Sequence, residues 1–173
     1  MKNEQDRDLT ITSQSRIASM SLVHEMLYKN DDVGLIVLRQ YLEQLLAQLE
    51  VTYSKKSTQI TVDCGPIELS LDQSIPLGLL INELVTNSYK HAFTATSEDQ
   101  EILIRVKTTK TADNKSKRLH IDCRDNGTGF NTKASSYQGG LGAKLVTSLC
   151  EELSAQVIHQ EDTATYNIQF LIK

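Results

Sequence analysis

The spacing of apolar positions changes along the chain and divides it into predicted elements. Ile17, Met20, His24 and Leu27, with Val23 alongside, recur three or four residues apart, the period of one helix face. Ser13 stands where a cap is expected, so the pattern predicts a helix from Ser13 to about Lys29. Residues 1–12 are polar and expected to be loose. Asp31, Asp32 and Gly34 punctuate, and then Leu38, Tyr41, Leu42, Leu45, Leu46 and Leu49 repeat the helical period. Two amphipathic helices in succession read as a hairpin, or as part of an inter-subunit bundle.

The period then drops to two. Ile60 and Val62 alternate with polar residues, as do Ile67, Leu69 and Leu71 after Gly65 and Pro66, which predicts a hairpin turning at Cys64–Pro66. Ser74 is expected to cap a third long helix reaching about Ala92, with Pro76 near its first turn, where a missing N–H is harmless. Strands are expected near 101–108 and 118–124, a loop rich in Gly, Asn, Thr and Ser over 125–140, a helix over 140–153, and closing strands near 155–160 and 165–172. No internal repeat interrupts this order. From residue 51 on it runs ββ-α-ββ-α-ββ, which suits an α+β fold: a two-layer sandwich with helices on one face of a mixed sheet, preceded by the helical hairpin.

Composition narrows the class. The chain has 173 residues, 39% hydrophobic and 23% charged, ordinary for a globular protein with a core. No apolar run reaches the roughly 18 residues a membrane span needs, and the first residues lack the apolar centre of a signal peptide. A net charge of −4 does not favour nucleic acid. The basic stretch Lys107–Arg118 reads as a solvated hairpin tip. Cys64, Cys123 and Cys150 are odd in number and far apart, which argues against a disulfide framework or a zinc site. They read as buried thiols in a reducing cytoplasm.

Three short blocks carry chemistry: NELVTNSYKHAF (Asn82–Phe93), DNGTGF (Asp125–Phe130) and GGLGAKLV (Gly139–Val146). In the first, Glu83, Asn87, Lys90 and His91 share one helix face and bring together a carboxylate, an amide, an ammonium and an imidazole. Its plain reading is a solvated face. In the second, Asp125 is an acceptor for an exocyclic amine such as adenine offers, while Gly127 and Gly129 let backbone approach a flat ring. Its plain reading is a turn with an Asx motif. In the third, Gly140, Leu141 and Gly142 lead into a helix whose free N–H groups suit an anion. It is neither a Walker A motif nor a Rossmann fingerprint. Each block alone is weak. The ordered set describes a pocket for a purine and a phosphate chain.

These blocks resemble the N box and the two glycine boxes of the Bergerat-fold ATPases, the superfamily of gyrase, the chaperone and histidine kinases. NELVTNSYKHAF is most similar to sensor histidine kinases of the second HisKA class, related to the HWE kinases. RIASMSLVHEMLY (Arg16–Tyr28) resembles the second helix of their dimerisation domain, and LRQYLEQLLAQL the segment joining it to the kinase core. The resemblance implies a loose or linking segment over 1–12, part of a dimerisation element over 13–50, and an ATP-binding catalytic domain over 51–173. It implies ATP and Mg²⁺ as cofactors. Asn87 would hold the metal, Glu83 would polarise a water or order the acceptor, and Lys90 and His91 would lie near the phosphates. Asp125 would read the adenine amine, and Gly127 and Gly129 would shape its pocket. Gly140, Leu141 and Gly142 would serve the lid and the phosphates, and Thr165 would lie at the pocket floor. The usual glycine before it is Ala164 here, and the lid between Phe130 and Gly139 is short.

The implied activity is transfer of the ATP γ-phosphoryl to a histidine and onward to an aspartate of a response-regulator receiver domain, in a cytoplasmic homodimer. In such kinases the acceptor histidine lies on a helix before the segment matched by Arg16–Tyr28, and this sequence has no room for it. The chain is therefore expected to be the C-terminal piece of a longer sensor kinase, or a kinase whose acceptor is elsewhere. His24, on the apolar stripe, reads as a packed bundle histidine. His120 and His159 look incidental. Two alternatives share the pocket: a serine kinase of the anti-sigma-factor type, and a non-catalytic nucleotide-binding dimerisation module.

Overall fold

The computed structural model describes residues 2–29, 34–53, 58–93, 99–127, 141–160 and 165–172. Helix α1 spans Lys2–Lys29 and α2 spans Leu38–Tyr53, with a short strand β1 (Leu35–Val37) leading into α2. Strands β2 (Thr58–Cys64) and β3 (Glu68–Ser70) precede α3 (Leu71–Asn87), which continues into one π-helical turn, Ser88–Ala92. Strands β4 (Gln100–Lys110) and β5 (Lys117–Asp125), helix α4 (Leu141–Leu153), and strands β6 (Gln156–Gln160) and β7 (Thr165–Ile172) complete the order.

The main sheet has five strands in the order β2-β4-β5-β7-β6. β2 runs parallel to β4, and every other pair is antiparallel. Alternate residues supply its inner face: Ile102, Ile104 and Val106 from β4, Leu119, Ile121 and Cys123 from β5, and Ile168 and Phe170 from β7 are all buried. Helices α3 and α4 pack together above this face through Leu77, Leu80, Ile81, Leu84, Val85, Leu149 and Leu153. The far side of α3 is covered by α1 and α2, so α3 is enclosed along most of its length. The result is the expected α+β sandwich, with the helical pair laid on its central helix.

Several expectations are corrected. Residues 58–70 do not form a hairpin. β2 joins the main sheet beside β4, while β3 pairs with β1 in a separate two-stranded ribbon, Ile36 opposite Leu69. Gly65 and Pro66 let the chain leave the sheet, and Leu69 is then buried beneath the helices instead of beside Val62. The first helix begins at Lys2, not at Ser13, whose hydroxyl instead donates to the Leu9 carbonyl within the helix. The third helix begins at Leu71, not after Ser74. Pro76 therefore lies past the first turn and removes the bond to the Asp72 carbonyl. An interior proline costs about 3 kcal/mol. Burying the five large apolar side chains of α3 at about 1.5–3 kcal/mol each outweighs it.

The buried face of α1 also differs. Ser15, Ser19, Leu22, Val23 and Met26 face the protein, while Ile17, Met20, His24 and Tyr28 stand exposed on another side. His24 is thus not packed in this fold. The face that meets α3 carries small and polar residues, which hydropathy alone does not rank as interior. Cys64 and Cys123 are buried and Cys150 is partly so, all as free thiols. Burial pushes the Cys123 thiol up to about 12, with Asp125 adding to the shift, so it stays protonated.

Tyr41 of α2 sets how closely α2 approaches α3. It is fully buried, and a Cβ added at Gly78 would lie 1.5 Å from its hydroxyl oxygen. Alanine in a helix interior is normally worth about 1 kcal/mol over glycine. Overpacking costs about 1–3 kcal/mol. Gly78→Ala is therefore expected to destabilise the fold, seen as a lower urea midpoint with an unchanged slope. A higher midpoint would show that Tyr41 has room to move.

Candidate functional site

The site is built around α3 and the turn that follows it. Glu83 is almost wholly buried, at 4% exposure, because α1 lies across the helix face that carries it. A carboxylate at that depth requires a partner. Arg16 of α1 supplies it, donating from Nε to Oε1 at 2.7 Å and from Nη2 to Oε2 at 2.8 Å. The hydrogen bond to Glu83 raises the Arg16 pKa against the opposing effect of burial, and the Glu83 charge adds to the rise. Removing one partner of such a pair typically costs about 3–5 kcal/mol.

Asn82 extends the contact. Its side-chain oxygen accepts from Ser15 Oγ at 2.6 Å, and Ser19 Oγ lies 3.2 Å away while also bonding the Ser15 carbonyl. Asn82 Nδ2 reaches Glu83 Oε1 at 3.4 Å. Farther along, Lys90 Nζ donates to Thr12 Oγ1 at 2.8 Å and stands 5.6 Å from the centre of the Tyr53 ring. Four residues of one α1 face, Thr12, Ser15, Arg16 and Ser19, thus meet Asn82, Glu83 and Lys90. The face of α3 whose plain reading, taken alone, was a solvated one is a polar helix–helix interface. Burial lowers the Lys90 pKa, as it does that of His91, where Lys90 adds to the effect.

The α-helix ends at Asn87, half-buried and one turn beyond Glu83. The π turn that follows widens the helix, a distortion that recurs at functional sites. It directs Ser88 at the end of β5, where Ser88 Oγ donates to Asp125 Oδ2 at 2.7 Å. Asp125 Oδ1 accepts the Gly127 N–H at 3.0 Å. Both oxygens of this buried carboxylate are therefore fixed, and each retains lone-pair capacity for a further donor. Gly127 sits against the π turn so closely that a Cβ there would be 2.4 Å from the Ala92 carbonyl oxygen. Asn126 fastens the same loop to the start of β4, donating to the Asp99 carbonyl at 2.9 Å and accepting the Glu101 N–H at 2.9 Å.

The remaining candidates converge on this region from two sides. α4 begins at Leu141, and a Cβ added at Gly142, in its first turn, would stand 3.1 Å from Glu83 Oε2. Thr165 opens β7 opposite Arg124, the neighbour of Asp125, and is buried. The structure thus joins Asp125 and Gly127 to the π turn that follows Asn87, sets Gly142 beside Glu83 one turn earlier, and pairs Thr165 with the strand residue before Asp125. Lys90 is turned toward α1 and α2, and His91 is exposed on the π turn. Gly129, Gly140, the lid between Phe130 and Gly139, and Ala164 lie outside the described residues. Among the described residues no cluster of His, Cys, Asp and Glu suits a metal on its own. The side-chain oxygen of Asn87, one turn beyond the Glu83 that borders Gly142, is a hard ligand of the kind that would fit a Mg²⁺ bringing its own phosphate ligands.

Sequence reasoning passed over Arg16, Ser15, Ser19, Asn82, Ser88 and Asn126. A signal existed for the first three: with Thr12 they form a run of polar and small residues at helical spacing, beside the apolar positions of the same helix. Asn82 carried no assigned role in the first block, and Ser88 counted there only as part of the helix face toward the sheet, where its bond to Asp125 at the end of β5 places it.

The chain can now be set beside known proteins. Residues 1–53 match a histidine kinase family. Residues 72–171 match the family described as histidine kinase-, DNA gyrase B- and HSP90-like ATPase. The chain is 20% identical over 142 residues to the Blue-light-activated histidine kinase 2 of Erythrobacter litoralis, a match that spans 77% of this chain and 39% of that protein. The histidine kinase domain of the Erythrobacter litoralis EL346 blue-light activated histidine kinase superposes with a TM-score of 0.73 at 17% identity, covering 93% of this chain and 74% of that one. The Acinetobacter baumannii histidine kinase AdeS superposes with a TM-score of 0.54 at 13% identity, covering 91% and 75%. The ATPase family covers more than half of the sequence, from the start of α3 into β7. The chain belongs to the histidine kinase-, DNA gyrase B- and HSP90-like ATPases.

Proposed function

We propose that this chain is the ATP-binding catalytic part of a two-component sensor histidine kinase, transferring the γ-phosphoryl of Mg·ATP to a histidine for relay to a receiver-domain aspartate. The observation that supports this best is the convergence of three sequence-distant blocks on the end of α3 and its π turn: Asp125 bonded to Ser88, Gly127 against Ala92, and Gly142 beside Glu83 one turn earlier. Mg·ATP, when bound, supplies the phosphoryl group and a metal that neutralises its charge. In this reading Asp125 accepts the adenine amine, held at the right angle by Ser88 and the Gly127 N–H. Asn87 offers its side-chain oxygen to Mg²⁺. The first turn of α4, with Leu141 and Gly142, presents backbone N–H groups to the phosphates. Glu83 polarises the attacking group. Phosphoryl transfer asks a protein mainly for positioning and charge compensation, and the groups assembled here are of that kind.

A helical pair packed on the catalytic helix supports the kinase reading over the anti-sigma-factor type. Exposed Ile17, Met20 and Tyr28 on one side of α1 offer an apolar strip for a second copy, in line with a homodimer. Among the described residues no helix is long and apolar enough to cross a membrane.

Asn87→Ala is expected to abolish Mg²⁺-dependent ATP binding in calorimetry while leaving the circular dichroism spectrum intact. Retained Mg·ATP affinity would remove the metal role. Asp125→Asn is expected to reduce the preference for ATP over GTP by tenfold or more, read from the ratio of the two dissociation constants. An unchanged ratio places adenine recognition elsewhere. Ser88→Ala removes a hydrogen bond to a charged group, worth about 1.5–3 kcal/mol. ATP affinity is expected to fall about tenfold or more, with GTP affinity changing less. Equal losses for both nucleotides would mean that Ser88 supports the fold and not the adenine contact.

A further inference from the structure

We propose that Arg16 is a positioning residue for Glu83, which makes helix α1 a working part of the catalytic face. This rests on the reading of Glu83 as the group that polarises the attacking atom. The geometry is specific to that task. Arg16 holds both carboxylate oxygens through a planar, two-point contact at 2.7 and 2.8 Å, which fixes the carboxylate plane as well as its position. A single ammonium would fix neither. Each oxygen spends one lone pair on the guanidinium, so Oε2 keeps acceptor capacity. That oxygen borders Gly142, the first-turn glycine of α4, where any Cβ would come within 3.1 Å of it. The glycine leaves this side of the carboxylate clear, at the helix end where the phosphates are placed.

The surrounding contacts hold Arg16 itself. Ser15 and Ser19 grip Asn82 on either side of it, and Lys90 bonds Thr12 one turn earlier on α1. The guanidinium therefore approaches Glu83 along one direction only. Among the described residues Arg16 is the cation seen paired with Glu83, since Lys90 is directed to Thr12 and the Tyr53 ring.

The test compares wild type, Arg16→Met, Arg16→Lys, Glu83→Gln and the Arg16→Met/Glu83→Gln double variant. Calorimetry gives Mg·ATP affinity, and γ-phosphoryl turnover is measured with an acceptor helix supplied in trans. Arg16→Met is expected to lower kcat tenfold or more while KM and Kd for Mg·ATP stay within threefold. Arg16→Lys, which keeps the charge and the fold but not the two-point geometry, is expected to recover part of the loss. In the Glu83→Gln background Arg16→Met is expected to cost nothing further. The proposal is overturned by an Arg16→Lys kcat equal to wild type, by a loss of the same size in the Glu83→Gln background, or by faster turnover on removing Arg16. A wild-type chain that binds no Mg·ATP, or binds it without turnover, overturns the reading of the site and the positioning role with it. That failure is visible before any variant is compared.

Discussion

A carboxylate removed from water must be paired, and the buried position of Glu83 organises much of this protein. The cost of an unpaired charge at that depth is comparable to a large fraction of a typical domain's total stability. Arg16 meets the requirement from another helix, so α1 cannot leave its place without exposing or orphaning the charge. The rest of α1 follows. Its Ser15 and Ser19 satisfy Asn82, the other buried polar residue of the same turn, and Thr12 receives Lys90. A helix that would otherwise be held only by Leu22, Val23 and Met26 is thereby fixed in register.

The enclosure of α3 explains why its sequence looks contradictory. One side is apolar and rests on the sheet and α4. Another carries Gly78, where Tyr41 of α2 enters, and a third carries Asn82 and Glu83, matched by polar groups of α1. A helix buried on so many sides would normally be apolar all round. Here Asn82 and Glu83 survive because each has a partner of suitable chemistry, while the buried Thr86 hydroxyl has none among the described residues. At its end the helix relaxes into the π turn. The extra residue in that turn carries Ser88 to Asp125 and lets Gly127 lie against Ala92, joining the helix to the end of β5.

How far the sequence announced this structure depended on whether each element's partners were local. The hairpin of β4 and β5, helix α4 and the closing strands β6 and β7 were legible, because period and turn residues define them without reference to the rest. The ribbon of β1 and β3 was not. Its strands are three residues each, and their pairing is decided by the packing of Ile36 and Leu69 beneath the helices. The same distinction holds at the site. Asp125, Gly127 and Gly142 stand in motifs whose order along the chain is informative. Arg16 and Ser88 act through partners 67 and 37 residues away, and no local pattern links them. The solvated-face reading of Glu83 failed for that reason: amphipathicity tells which residues can face water, and only the fold tells whether water is there.

Two successive stretches of α1 hold by different physics, and the difference bears on the proposed kinase. Apolar contacts through Leu22, Val23 and Met26 are non-directional and tolerate small sliding at little cost. The contacts of Thr12, Ser15, Arg16 and Ser19 are hydrogen bonds, which weaken steeply with misalignment. A helix rises about 1.5 Å per residue, so a shift of one residue along its axis would already break the two-point grip on Glu83. The stretch from Leu22 to Met26 therefore keeps the helix attached, and the stretch from Thr12 to Ser19 determines where it sits. A displacement of α1 would therefore be registered first at Glu83, without any change to the contacts that Asp125 makes with Ser88 and Gly127.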